Sequence, residues 1–134
     1  MAKAYIHAQL SAKQFGGIME DYLPIHQLLD SSKTAFADNR HRALTHNSWF
    51  INTIIPKVFG EYIINSEVKK ISTIEIAEQH ILDDFGGEFI PTAQDYLQEM
   101  NITNWMNGIG IPSSRILIEK TNQKEIITFN NGKI

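Results

Sequence analysis

The 134-residue sequence contains no cysteine. Disulfide scaffolds, thiolate zinc sites, iron–sulfur clusters and cysteine nucleophiles are therefore excluded together. Proline is scarce, at four residues. No Pro/Ser-rich tract, low-complexity stretch or internal repeat marks a linker, so one domain over 1–134 is expected. Positive charge is not in excess: 12 Lys and Arg stand against 15 Asp and Glu, a net −3. No overall basic field draws the chain onto nucleic acid, which makes that partner unlikely beyond a local patch at Arg40 to Arg42. Long apolar runs are missing as well. Trp49-Phe50-Ile51 and Ile116-Leu117-Ile118 fall far below the roughly 18 residues that span a bilayer. Met1-Ala2-Lys3-Ala4-Tyr5-Ile6-His7 lacks the apolar core of a signal peptide. A cytoplasmic protein without membrane association is the expectation. The chain also has no P-loop, no G-x-G-x-x-G, no G-x-S-x-G elbow and no H-E-x-x-H.

What is present, 43% hydrophobic and 20% charged residues, suits a globular fold. The first three-fifths read as helices. One runs from about Lys3 to Phe15 and exits at Gly16-Gly17. A second starts at Asp21 as N-cap, tolerates Pro24 in its first turn and reaches about Ala37. The third and longest is expected from Asp38 or Asn39 to Phe59, with Pro56 imposing a kink or break near Thr53 to Ile55. Tyr62-Ile63-Ile64 and Lys69-Lys70-Ile71 form a hairpin around Asn65-Ser66-Glu67-Val68. Ser72 and Glu75 fit a capping box that opens a helix to about Phe85, and Thr92 with Asp95 opens a shorter one to about Met100. Beyond a helical part of about 3–100, residues 113–134 have strand character. Arg115 to Lys120 and Glu125 to Phe129 predict a C-terminal β-hairpin. The fold class is α+β, mainly helical, with a short central hairpin and a C-terminal one.

Polar residues recur at helical spacing. Asp38, His41, Arg42, Thr45, His46 and Trp49 fall on one broad face of the third helix, with Leu44, Ile51, Ile54, Ile55, Val58 and Phe59 opposite as core. The second helix repeats the pattern with His26, Asp30 and Lys33, and the helix after the hairpin with His80 and Asp84, Asp83 being close by. Any single pair is an ordinary surface contact. Three histidine–acid stripes in one small domain predict a pocket rich in titratable groups if the faces converge.

Two chemistries suit that pocket. Lys33, Arg40 and Arg42 can pair with phosphates, with histidines donating hydrogen bonds and Trp49 packing on the ligand. Alternatively His26, His41, His80 and Asp84 bind a divalent metal ion, which polarises a phosphoryl group and activates water. His41 and His46 are five apart, about 140° around the helix, so both do not easily face one ion.

The runs Asp21-Tyr22-Leu23-Pro24-Ile25-His26, Ala37 to His46, Asn65-Ser66 and Glu78-Gln79-His80 resemble an uncharacterised small domain-of-unknown-function family of bacteria and their viruses. The similarity covers about residues 4 to 97, and D-x-R-H-R-A-L-x-H, here Asp38 to His46, is its most specific piece. The family carries a Gly in the turn after Asn-Ser, where this chain has Glu67-Val68. The resemblance implies no catalytic residues. It implies a context in which small viral accessory proteins act on host defence, by association rather than by physical warrant.

The first functional expectation is an oligomeric protein, with no resident cofactor, that captures a phosphorylated, nucleotide-like ligand and so sequesters a defence signal. Its binding residues would be His26, Asp30, Lys33, Arg40, His41, Arg42, His46, Trp49, His80 and Asp84. The rival is a metal-dependent phosphohydrolase on the four alternative ligands. A third is an inhibitor or adaptor that docks a host protein through the C-terminal hairpin.

Overall fold

The computed structural model describes residues 3–111. The predicted C-terminal hairpin, and the docking role assigned to it, lie outside the described residues. The chain divides into a compact unit of residues 1–99 and a second of 100–134. In the described part of the second, a 3-10 turn spans Asn104–Asn107 and Gly108 closes it with φ 79°.

Helix α1 (Ala4–Phe15) ends at Gly16, whose N–H bonds the Ala12 carbonyl. A 3-10 turn (Met19–Asp21) leads into α2 (Leu23–Asp30), with Pro24 in the first turn where its missing N–H costs nothing. The helix stops earlier than Ala37 because the chain tightens into a 3-10 turn at Ser31–Thr34. Asp21 does not cap α2. Its carboxylate accepts from the Ile18 amide at 2.9 Å and from the Ser66 amide at 2.9 Å instead.

The expected long third helix is four short pieces. A 3-10 turn (Asn39–His41) opens with Asp38 as cap, its side chain accepting from the Arg40 amide at 2.9 Å. Helix α3 (Arg42–Thr45) follows and breaks at His46, where ψ is 58°. Asn47 then caps the next segment, its Oδ1 accepting from the Phe50 amide at 2.8 Å. A π-turn (Phe50–Ile54) widens the coil before α4 (Ile55–Phe59), placing Pro56 within the first two positions of the new helix. There the ring meets no unsatisfied hydrogen-bond demand, so the proline is accommodated by the wider turn, and the true break falls ten residues earlier.

Strands β1 (Tyr62–Ile64) and β2 (Lys70–Ser72) pair antiparallel, Ile63 opposite Ile71. Ser72 caps α5 (Thr73–Asp84), accepting from the Glu75 amide. A capping box of Thr92 and Asp95 opens α6 (Ala93–Leu97), shorter than the expected reach to Met100.

The core is built from the helices' apolar stripes: Ala8 of α1, Ile25 and Leu29 of α2, Ile51 and Ile55, and Ile76, Ala77 and Ile81 of α5, with Tyr22, Phe50 and Ile71. Each fully buried aliphatic side chain contributes about 1.5–3 kcal/mol of transfer free energy. Leu44 and Val58, expected in this core, are 52% and 57% exposed. The break at His46 rotates the two halves of the predicted helix out of register. Among the described residues no helix is long and apolar enough to cross a membrane.

Candidate metal centre

Beside the apolar stripes of α2 and α5 runs a second, polar stripe. His26 and Asp30 follow Ile25 and Leu29 by one position, and His80 and Asp84 follow Ala77 and Ile81 by three, a turn of about 60° the other way. A one-residue step is about 100° of turn, so each helix buries two adjoining faces, one apolar and one polar. Helix α1 adds His7 and Ser11, also four apart. The break after α3 swings His46 inward. All five histidines of the chain, His7, His26, His41, His46 and His80, are buried to within 1%.

Four side chains converge. One ligand atom from each of Asp30, His46, His80 and Asp84 lies within 4.8 Å of the others. His46 Nε2 is 2.9 Å from Asp84 Oδ2 and 3.9 Å from Asp30 Oδ1. His80 Nε2 is 3.1 Å from Asp30 Oδ1 and 3.5 Å from Asp84 Oδ2. A tetrahedral ion with ligands at about 2.0–2.2 Å has edges of about 3.3–3.6 Å, so these separations bracket the size of a first coordination sphere. Two imidazoles with two carboxylates suit zinc, manganese or iron.

Cations and further imidazoles surround the four. Lys33 Nζ is 3.6 Å from Asp30 Oδ2, and Arg42 Nη2 is 4.0 Å from Asp84 Oδ1, its guanidinium also lying over the Phe85 ring. His7 bonds Asp83 through Nδ1 at 3.2 Å, while its Nε2, 3.4 Å from Asp84 Oδ1, has no hydrogen-bond partner. Tyr96 of α6 donates to the His46 carbonyl at 2.9 Å and so anchors the turn that carries this ligand. Burial pushes that phenol up to about 12.

Burial opposes ionisation of Asp84, but the imidazoles of His46 and His7 beside it hold its carboxyl well below the usual range. Asp30 follows the same logic: burial is outweighed by His80 and Lys33. Burial, aided by the neighbouring His80 and His7, drives His26 down to about 2. Burial also lowers His80 despite Asp30, and lowers His41 with help from His46. For His7 burial is overcome by the two acids Asp84 and Asp83, and its pKa rises. The centre thus sets ionised carboxylates beside a His80 imidazole that burial holds toward its neutral form, states that favour a metal ion.

Of the predicted site residues, the fold brings together Asp30, His46, His80 and Asp84, with Lys33 and Arg42 at their carboxylates. His26 stands behind His80, Nδ1 to Nδ1 at 2.8 Å, and His41 bonds Ser32 at 2.7 Å. Two of the four expected metal ligands, His26 and His41, are therefore outside the converging set, and His46 and Asp30 are in it. Arg40 lies elsewhere, on the surface, paired with Asp38 at 2.7 Å and set over Phe36. Trp49 is 55% exposed. Sequence reasoning missed His7, Ser11 and Gln79. The available signal was the i, i+4 spacing of His7 and Ser11 flanking the core residue Ala8, and the position of Gln79 next to His80. A polar groove of about 420 Å³ borders α5. It reaches the cluster only through Gln79 and Asp83.

A small α+β domain, mainly helical, with a buried centre of histidine and aspartate is the class that fold and site define. The chain belongs to the family described as Domain of unknown function (DUF6915), whose model matches residues 2–106. No curated protein and no solved structure matches the chain significantly.

Proposed function

We propose that the protein is a metal-dependent phosphohydrolase built on Asp30, His46, His80 and Asp84. The observation that carries this reading is the convergence of four buried ligand atoms from three separate stretches of chain at coordination-sphere separations. A divalent ion held there supplies Lewis-acid polarisation of a phosphoryl oxygen and lowers the pKa of a water molecule. The remaining work falls to the side chains around the four ligands. Lys33 and Arg42 sit against the outer oxygens of the two carboxylates, where they can exchange a carboxylate contact for a substrate phosphate oxygen. Asp30, the most open of the four ligands at 10% side-chain exposure, marks the side from which substrate enters.

The near closure of the other three ligands supports a second reading, capture of a phosphorylated, nucleotide-like molecule without turnover, through the same two cations. One experiment separates the two. Protein loaded with manganese or zinc is assayed on p-nitrophenyl phosphate and bis(p-nitrophenyl) phosphate, with nucleotide binding followed in parallel. The hydrolase reading expects metal-dependent release of p-nitrophenol that Asp84→Asn abolishes and Arg42→Ala weakens chiefly through KM. Nucleotide binding with no turnover would favour capture. A metal-loaded protein inert in both assays would contradict both.

A further inference from the structure

We infer that Ser11, Gln79 and His26 form a hydrogen-bond chain of fixed direction whose task is to keep the His80 Nε2 lone pair bare for the metal ion. The inference rests on the metal reading above and deepens it by naming positioning residues outside the four ligands.

The direction follows from counting protons along the chain. Gln79 Nε2 donates to Asp83 Oδ2 at 2.6 Å and to the His7 carbonyl at 3.2 Å, which fixes the amide and points Oε1 at Ser11. Ser11 Oγ is in contact with that Oε1 and with the His7 carbonyl at 3.2 Å. Both are acceptors only, so the single hydroxyl proton belongs to this side. His26 Nε2, 2.7 Å from Ser11 Oγ, must then be the donor. A neutral His26 with its proton on Nε2 has a bare Nδ1. The 2.8 Å contact between His26 Nδ1 and His80 Nδ1 needs one proton, and only His80 can supply it. A neutral His80 with its proton on Nδ1 therefore turns an unprotonated Nε2 toward Asp30 Oδ1 and Asp84 Oδ2. A proton on Nε2 would close the 3.1 Å contact to Asp30 Oδ1 as a hydrogen bond, and with that nitrogen bare a cation takes the proton's place between the imidazole and the two carboxylates.

The second histidine ligand obeys the same rule. Thr45 Oγ1 donates to the Leu29 carbonyl at 2.7 Å. Its lone pairs then accept from Ser32 Oγ at 2.9 Å and from His46 Nδ1 at 2.8 Å. His46 is thereby committed to the same tautomer as His80, with Nε2 free. Two chains, one from α1, α2 and α5 and one from α2, α3 and the 3-10 turn between them, orient two imidazoles toward one point. Outer partners of this kind fix the tautomer and ring orientation of metal-bound histidine.

The test is ¹H–¹⁵N NMR of the imidazoles in the full chain titrated with zinc, a diamagnetic ion, together with zinc affinity by calorimetry. Expected are His80 and His46 with protons on Nδ1 and zinc on Nε2, and His26 with its proton on Nε2. Ser11→Ala and Gln79→Leu should each weaken zinc roughly 10- to 100-fold and let His26 populate both tautomers, whereas Ser11→Thr keeps the hydroxyl and the affinity. A zinc-loaded wild type with the His26 proton on Nδ1 overturns the chain and leaves the metal centre standing. So does wild-type affinity in a folded Ser11→Ala. Wild-type protein that takes up no zinc overturns both. The tautomers are read in the wild type, so the outcome does not depend on any variant folding.

Discussion

Two polar networks are buried in this small domain, and they differ in what they leave over. The first ties the hairpin to the junction of α1 and α2. Asn65 Nδ2 donates to the Tyr22 hydroxyl at 3.2 Å, and Asn65 Oδ1 accepts from the Glu67 and Lys69 amides, each at 2.9 Å. The Tyr22 hydroxyl donates to the Gly16 carbonyl. Asp21 accepts from two amides, and a Cβ on Gly17, whose φ is +78°, would strike its carboxylate. Every polar group in this latch is satisfied within the chain. The second network, around His46 and His80, ends differently: two imidazole nitrogens and two carboxylate oxygens point at one another. A network closed on itself is structural, since buried polar groups must be paired. One that gathers two imidazole nitrogens and two carboxylate oxygens within 4.8 Å, joined through the His46–Asp84 and His80–Asp30 contacts, also offers the donor set of a metal ion.

The largest effect that sharpens this contrast is expected at the centre. Asp84→Asn should lower affinity for zinc or manganese by at least about 100-fold, because it removes an ionised ligand outright rather than an outer-shell partner. Elemental analysis of the dialysed variant checks it, and an unchanged metal content would collapse the distinction between the networks.

At the latch, Asn65→Ala should cost about 2–3 kcal/mol of stability in denaturant melts, since it strands buried donors, while leaving metal stoichiometry as in the wild type. A smaller effect of opposite sign is expected three positions on. Val68 has φ 63° although it is β-branched, which costs roughly 1–2 kcal/mol relative to glycine in that region. Val68→Gly should therefore stabilise the protein by about 1 kcal/mol after glycine's own entropic cost. The backbone at Val68 keeps the shape that glycine would favour.

The acid response of the latch is the most modest. Burial of Asp21 works against its ionisation, but the Ile18 and Ser66 amides prevail and depress its pKa. A depressed carboxylate contributes stability that is present above the unfolded value, about 3.9, and lost as pH falls through the folded value. Thermal melts should thus show wild type losing ground to Asp21→Asn as pH drops from about 5 to 3.

Much of this was legible in the sequence. The i, i+4 pairs His26/Asp30 and His80/Asp84, the central hairpin, the Thr92/Asp95 capping box and the Ser72 cap follow from spacing and cap chemistry, although Ser72 caps α5 without the reciprocal bond from Glu75. Convergence of the three stripes was expected only if the helix faces met, and on α2 and α5 they do. The error lay in treating residues 38–59 as one kinked helix. Asn47 was the overlooked signal: it caps a new segment three residues ahead of Phe50, which frees His46 from the helical face that would have held it about 140° from His41. A polar stripe beside an apolar one also reads naturally as solvent-facing. Only packing α1 against α2 and α5 covers it, and that is a tertiary fact with no local signature.

The most direct test of the central claim is native mass spectrometry of the full chain with zinc or manganese, alongside thermal melts of the same samples. One divalent ion per chain is expected, with stability raised by about 2.7 kcal/mol at a free metal concentration 100 times Kd. A chain that stays metal-free, with an unmoved melting temperature at millimolar zinc and manganese, would show that the histidine–aspartate centre is only a core packed with polar groups.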